Sequence, residues 1–294
     1  MQNKSDYPVA ILWVLSSTAM WTVIFAAAKF ADGAAGTFQI LLLRYLGSVI
    51  TLVLIAYANG GLMQYRSDRP LSHFARAAFG CFAAAAITWA SAHMPIADAT
   101  AIGMLYGPLT VILGIVFLKE MVTGNHWVAV FVSIIGAVIV MYSRGAFQDG
   151  VYFWPAMAAA LSAVLLSLEG LLIRIISLAE NPLGIMLYVS FFGMCLMAIP
   201  AFLEWQTLSW GIMLGCLALG PFGILAQYTT IRGYRMAPLS VVGPVDYSWL
   251  VFAALLGYFA FNEVPGSPIL IGGALILTGG AMLARLRPLK EDTN

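Results

Sequence analysis

Apolar residues in this chain do not alternate with polar ones; they come in long runs. Ten runs can be read along it, over 8–30, 38–58, 73–92, 97–118, 125–142, 152–173, 183–203, 210–231, 238–260 and 265–285. Each is close to the roughly 20 residues an α-helix needs to cross a hydrocarbon core about 30 Å thick. Outer-membrane strands would be about half as long and would alternate in polarity. Over such a run, only a helix satisfies its own backbone in lipid. The pattern therefore predicts ten transmembrane helices. The connections are short, the longest lying between Asn59 and Ser72, which leaves no room for a soluble catalytic domain.

Composition strengthens that picture. Of the 294 residues 62% are hydrophobic and only 9% charged, and the mean hydropathy is +0.92. An ordinary soluble domain is about 25% charged. The chain is thus predicted to be an all-α integral membrane protein, with the lipid bilayer as its main solvent. A net charge of +1 offers no basic surface for nucleic acid. Cys81, Cys195 and Cys216 all lie in apolar runs, without the spacing of a disulfide framework or a zinc site, and are read as packing residues. The first run follows a single Lys and ends in Ala26-Ala27-Ala28, a faint likeness to a signal peptide. Its length and the runs behind it favour a retained helix.

The few charges carry orientation. With the N-terminus in the cytoplasm, the inner side holds Lys4, Arg66, Arg69, Arg76, Lys119, Arg174, Arg232, Arg235, Arg285, Arg287 and Lys290, and the outer side only Lys29 and Arg144. This bias predicts both termini in the cytoplasm.

A repeat is hidden in the same pattern. Pro95, Leu118-Lys119-Glu120 and Gly136 recur, 143 residues later, as Pro238, Phe261-Asn262-Glu263 and Gly279. Two five-helix halves follow, 1–145 and 146–294. Five is odd, so the second enters the membrane from the opposite side, with Glu120 inside and Glu263 outside. Inverted-topology repeats build secondary transporters whose substrate site lies at the repeat interface near the midplane.

The same residues carry a resemblance. Five-plus-five spans with Leu118-Lys119-Glu120 and Phe261-Asn262-Glu263 resemble the drug/metabolite transporter superfamily and its ten-helix EamA-type exporters. Met94-Pro95-Ile96-Ala97-Asp98-Ala99-Thr100-Ala101 followed by Tyr106-Gly107-Pro108 matches the family's entry to span four, and Ser162-Ala163 and Arg174 fit its sixth span more loosely. Within that family the chain looks closest to the aromatic amino-acid exporters. The resemblance covers essentially the whole chain. It implies a bacterial inner-membrane exporter of amino acids or related metabolites, with a central cavity lined by spans one, three, four, six, eight and nine. Two departures stand out. Val251 occupies the position equivalent to Pro108, and the first span has no acid of the kind that couples protons in the four-helix multidrug relatives.

Intramembrane charges are candidates for function because they are expensive to bury. Asp246 follows Gly243-Pro244 and precedes Tyr247 and Trp249; it meets a substrate ammonium, carries a proton, or caps a broken helix. Glu169 faces a cavity or reaches Arg174. Arg44 binds a substrate carboxylate, snorkels, or pairs with an outer acid such as Asp32 or Asp98. Lys29 has the same choice. Glu120 and Glu263 read mainly as anchors of corresponding helix ends. Gly107-Pro108 and Gly243-Pro244 interrupt corresponding spans and are read as hinges or cavity walls, with close helix packing as the plainer reading.

Trp13, Trp127, Trp154, Trp205 and Trp210 lie near span ends, as an interfacial belt does. Trp21, Trp89, Tyr106, Tyr228, Tyr247 and Trp249 lie deeper and either line a cavity or pack the core. No metal-ligand spacing, nucleophile elbow or P-loop occurs, so no cofactor, metal or ATPase subunit is expected. The expectation is an amino-acid exporter working by alternating access as a monomer. A nucleotide-sugar or drug exporter of the same fold, and an intramembrane enzyme built around Asp246, are the alternatives.

Overall fold

The computed structural model describes residues 7–118, 124–143, 152–176, 181–236 and 245–285. These residues are helical almost throughout. In chain order the helices are α1 (Tyr7–Phe25), α2 (Ala27–Phe30), α3 (Thr37–Ala58), α4 (Pro70–His93), α5 (Ile96–Gly103), α6 (Tyr106–Leu118), α7 (Gly124–Ser143), α8 (Phe153–Ile176), α9 (Pro182–Leu203), α10 (Trp210–Met236), α11 (Ser248–Phe261) and α12 (Ser267–Arg285), with one 3₁₀ turn over Leu62–Tyr65. Seven of them are long and apolar enough to cross a membrane by themselves, and Ser248–Phe261 and Ser267–Met282 are shorter apolar helices. Their outer faces are greasy, with Leu54, Phe131, Ile199 and Phe259 all exposed, as a lipid-facing surface requires.

Local chemistry sets the ends. Pro70 and Pro182 open α4 and α9 at first-turn positions, where a missing N–H is harmless, and the Asn181 side chain accepts from Leu183 N at 3.0 Å. Asn262 ends α11 in the left-handed region (φ 54°), which Asn tolerates better than most residues.

Two predicted spans are broken. The first gives α1 and α2, separated at Ala26, with no Gly or Pro to mark the place. The fourth gives α5 and α6, parted at Met104–Leu105 rather than at Gly107-Pro108. Pro108 then falls in the first turn of α6, so its absent N–H removes no helical bond, while Gly107 N donates to Met104 O at 3.2 Å. A turn also falls at Tyr247, the residue 143 positions after Met104. Gly243 and Pro244 lie outside the described residues, as do Lys119, Glu120 and Arg144.

The packing is orderly. Segment two lies on segment seven (α3 on α9), five on ten (α7 on α12) and four on nine (α5 on α11). Segment three lies on six (α4 on α8) and eight on one (α10 on α1). Exchanging the two sets of five returns the same pairings. The α7–α12 seam shows why small residues are needed. A methyl group at Gly136 would stand 2.5 Å from Gly272 O, and one at Gly272 would stand 2.5 Å from Gly136 O. Gly279 meets Ser133 and, at 2.7 Å, Ala129 O. A shift of 143 residues takes Gly136 to Gly279 and Ala129 to Gly272, so the two close approaches of the seam are counterparts. Backbones come this near only where side chains are absent or minimal.

Candidate functional site

A chamber of about 410 Å³ lies between the helices. Its polar wall begins with two arginines that arrive from opposite ends of the fold. Arg44 is seven residues, about 10 Å, into α3, and Arg76 is six residues, about 9 Å, into α4. These two helices are consecutive and joined by a short connection, so their starting ends lie at opposite faces. Both guanidinium groups reach the chamber, and both residues are 5% exposed.

Arg76 Nη2 stands 3.4 Å from Glu169 Oε1 of α8. Gly80, one turn along α4 from Arg76, makes room for that carboxylate: a methyl group there would stand 2.8 Å from Glu169 Cδ. Arg44 lies over the Tyr45 ring, 4.5 Å from its centroid. Arg44 Nε, Arg76 Nε and Arg76 Nη1 are buried without a hydrogen-bond partner.

The remaining wall is aromatic and hydroxylated. Trp21 stacks on Phe25 at 5.4 Å, and Phe25 meets Trp249 at 5.4 Å. Tyr106, Trp249 and Asp246 line the chamber near one another, Asp246 acting electrostatically on Tyr106. Thr18 Oγ1 and Ser248 Oγ are 2.8 Å apart, and Ser17 is bonded to Thr230, so the hydroxyls of α1 are tied to α10 and α11.

Six of the residues singled out in the sequence therefore meet in one place: Trp21, Arg44, Tyr106, Glu169, Asp246 and Trp249. Three do not. Trp89 stacks on His93 at 4.2 Å and lines a second, larger cavity. Tyr228 is 41% exposed, edge-on to Trp13 at 6.3 Å, and its hydroxyl accepts from Arg232 Nε at 2.8 Å. Tyr247 fills the space left by Gly107 and Gly280 and packs beside the core cluster around Ile102 and Trp249. Gly107 thus serves close packing against the Tyr247 hydroxyl.

The sequence reading missed Arg76, which it counted among the charges of the inner side. Its place as the fourth residue of the predicted span 73–92 was the available signal. The chamber also draws on span two (Arg44, Tyr45, Ser48) and span seven (Met186, Val189, Ser190), beyond the spans the resemblance implied.

The larger cavity, about 1720 Å³, runs along α4 from Ala78 to His93, about 22 Å of helix. Leu161 and Leu165 of α8 face it, and Lys29, Asp32, Glu204 and Gln206 form a polar rim. At that rim Lys29 is paired with Glu263 and donates to Met94 O at 2.9 Å, while Glu263 Oε2 accepts from Ile96 N at 2.9 Å. Glu263 so caps the start of α5 and ties it to α2 and α11. Among the described residues no group of His, Cys, Asp and Glu has the arrangement of a metal site.

Comparison with known proteins gives this architecture a context. An S-adenosylmethionine uptake transporter from Rickettsia bellii is 24% identical over 274 residues, spanning 92% of this chain and 91% of the relative. The pseudopaline exporter CntI from Pseudomonas aeruginosa is 25% identical over 286 residues, 94% of this chain and 96% of the relative. A solved crystal structure superposes with a TM-score of 0.64 at 22% identity, covering 94% of this chain and 96% of the other, a likeness of fold. The relatives are transporters, and the enzyme alternative falls with them. The model of the EamA-like transporter family matches twice, over residues 8–142 and 153–285, and the chain belongs to that family.

Proposed function

We propose that this protein is a secondary transporter of the bacterial inner membrane that exports neutral amino acids, aromatic ones among them. Two five-helix halves, 1–145 and 146–294, cross the membrane in opposite senses, ten helices in all, with both termini in the cytoplasm. Access alternates between the two sides as the halves exchange conformations, and one chain suffices. The observation that carries this reading is the chamber: two guanidinium groups, two carboxylates and an aromatic wall in a space of about 410 Å³. That is toward the small end of ligand pockets, which run to about 1,000 Å³. A small molecule with charges of both signs and an apolar side chain suits such walls. Helix pairings that return themselves on exchange of the halves support the alternating mechanism. The larger cavity is also lined by α4 and α8 and reaches the polar rim at Lys29 and Glu204. A methionine derivative as the named cargo of one relative supports an amino-acid-like substrate.

The reading is tested by efflux from proteoliposomes containing only this chain and loaded with radiolabelled L-phenylalanine, L-methionine or L-leucine. Release faster than from protein-free vesicles is expected for at least the aromatic substrate. No release of any proteinogenic amino acid, with the gradient set in either direction, would overturn it.

A further inference from the structure

Arg76 and Glu169 form a loose pair in a place where looseness is costly. Their separation of 3.4 Å exceeds the roughly 2.7–2.9 Å of a charge-assisted hydrogen bond. Arg76 leaves two of its three nitrogens without a partner, and Arg44 leaves Nε without one. Buried donors of this kind are paired in most proteins. Two guanidinium groups here share the field of one carboxylate, because both Arg76 and Arg44 act on Glu169. The other carboxylate of the chamber, Asp246, acts on Tyr106 and Tyr247. The arginine end thus carries unpartnered donors, and Glu169 lies against the bare backbone of Gly80.

We propose that this end is the head-group site for an L-α-amino acid, which inserts itself into the loose pair. The inference rests on the transport reading above. The substrate carboxylate bridges Arg44 and Arg76, taking donors that are now unpartnered. The substrate ammonium takes Glu169. The two groups sit on one carbon, so they need partners that are close neighbours, as Arg76 and Glu169 are. The inserted zwitterion adds no net charge, yet it gives each guanidinium a carboxylate and gives Glu169 a second cation. The side chain of the substrate then lies along Trp21, Phe25 and Trp249, whose rings form a continuous surface. Arg76, Glu169 and Gly80 become determinants of specificity, with Arg44 as the second carboxylate ligand.

The test uses the full chain in proteoliposomes, with L-phenylalanine as substrate. Two analogues serve as inhibitors: L-phenylalanine amide, which lacks the carboxylate, and 3-phenylpropionate, which lacks the ammonium. In the wild type each analogue is expected to inhibit about tenfold or more weakly than unlabelled L-phenylalanine, the factor of one lost charge-assisted bond. Glu169→Gln is expected to raise KM for L-phenylalanine about tenfold and to abolish discrimination against 3-phenylpropionate alone. Arg76→Gln is expected to abolish discrimination against the amide alone. Gly80→Ala, which pushes the carboxylate off Arg76 without removing it, reproduces the Glu169→Gln pattern should that variant fail to fold. A purely structural Glu169 would lower flux and leave the inhibitor ratios unmoved, and that result would overturn the inference while leaving the transport reading intact. Equal inhibition of the wild type by L-phenylalanine and either analogue would do the same. A wild type that moves no amino acid would instead overturn the transport reading, and the inference with it.

Discussion

The α7–α12 seam and the central chamber both lie where the two repeats meet, and they use the repeat in opposite ways. In the seam the close approach of backbones at small residues is duplicated. Gly136 against Gly272 has its counterpart in Gly279 against Ala129, so the contact reads the same from either half. In the chamber only the frame is duplicated. Gly80 and Gly223, Ala84 and Gln227, and Tyr106 and Trp249 stand 143 residues apart and all line it. The charges are not duplicated: Asp246 answers to Gly103, and neither Arg76 nor Glu169 has a charged counterpart. Under the proposed mechanism, symmetry supplies two equivalent arrangements to alternate between, and departures from symmetry supply recognition. A seam that must slide or rock tolerates only small side chains, whereas a chamber that must choose its cargo needs groups found once.

That contrast can be broken from either side. The largest effect is expected from Arg76→Ala, which strands Glu169 as a buried charge. Breaking a buried pair costs about 3–5 kcal/mol, so the apparent Tm in detergent should fall steeply and flux should vanish. Replacing Arg76 and Glu169 together by Met should recover most of the Tm and none of the flux, since a paired removal leaves no stranded charge. Unrecovered stability in the double variant would show that the pair holds the fold together and does more than recognise cargo.

Next in size is Gly136→Leu in the seam. Overpacking of about 1–3 kcal/mol should lower the Tm, while the folded fraction keeps the wild-type KM and the wild-type inhibitor ratios. A changed ratio would mean that the seam communicates with specificity, against the division drawn above.

Lys29→Gln comes third. It removes the partner of Glu263 at the rim but leaves the Glu263 cap on Ile96 N. The pair is partly exposed, so a loss near 1 kcal/mol is expected, with flux altered and specificity unchanged. Tyr228→Phe is the smallest. Among the described residues its hydroxyl meets Arg232, outside the chamber, so stability should stay within about 0.5 kcal/mol of wild type and KM should be unchanged.

The apolar helices were legible from the sequence; the faces their side chains occupy were not. Runs of apolar residues place most of the described helices to within a few positions, because length and hydropathy are one-dimensional properties. Trp21, Tyr106, Asp246 and Trp249 were deep and proved to share a cavity. Trp89, Tyr228 and Tyr247 were as deep and did not, since which face of a helix a residue occupies depends on neighbours distant in sequence. The break at Ala26 carries no Gly or Pro and left no trace, whereas the break at Met104–Leu105 was announced by Gly107-Pro108 two residues late. Arg76 was hidden by its usefulness as an orientation signal: a basic residue near the end of a span is ordinarily interfacial, and only the packing of α4 on α8 turns it inward to Glu169.

Counterflow tests the central claim most directly. Proteoliposomes containing this chain alone are preloaded with unlabelled L-phenylalanine and diluted into a trace of the labelled compound. A carrier that alternates around the chamber should accumulate label transiently above its equilibrium level, and the double replacement of Arg76 and Glu169 by Met should remove that overshoot. Label that rises only to equilibrium, independent of the preload, would contradict alternating access.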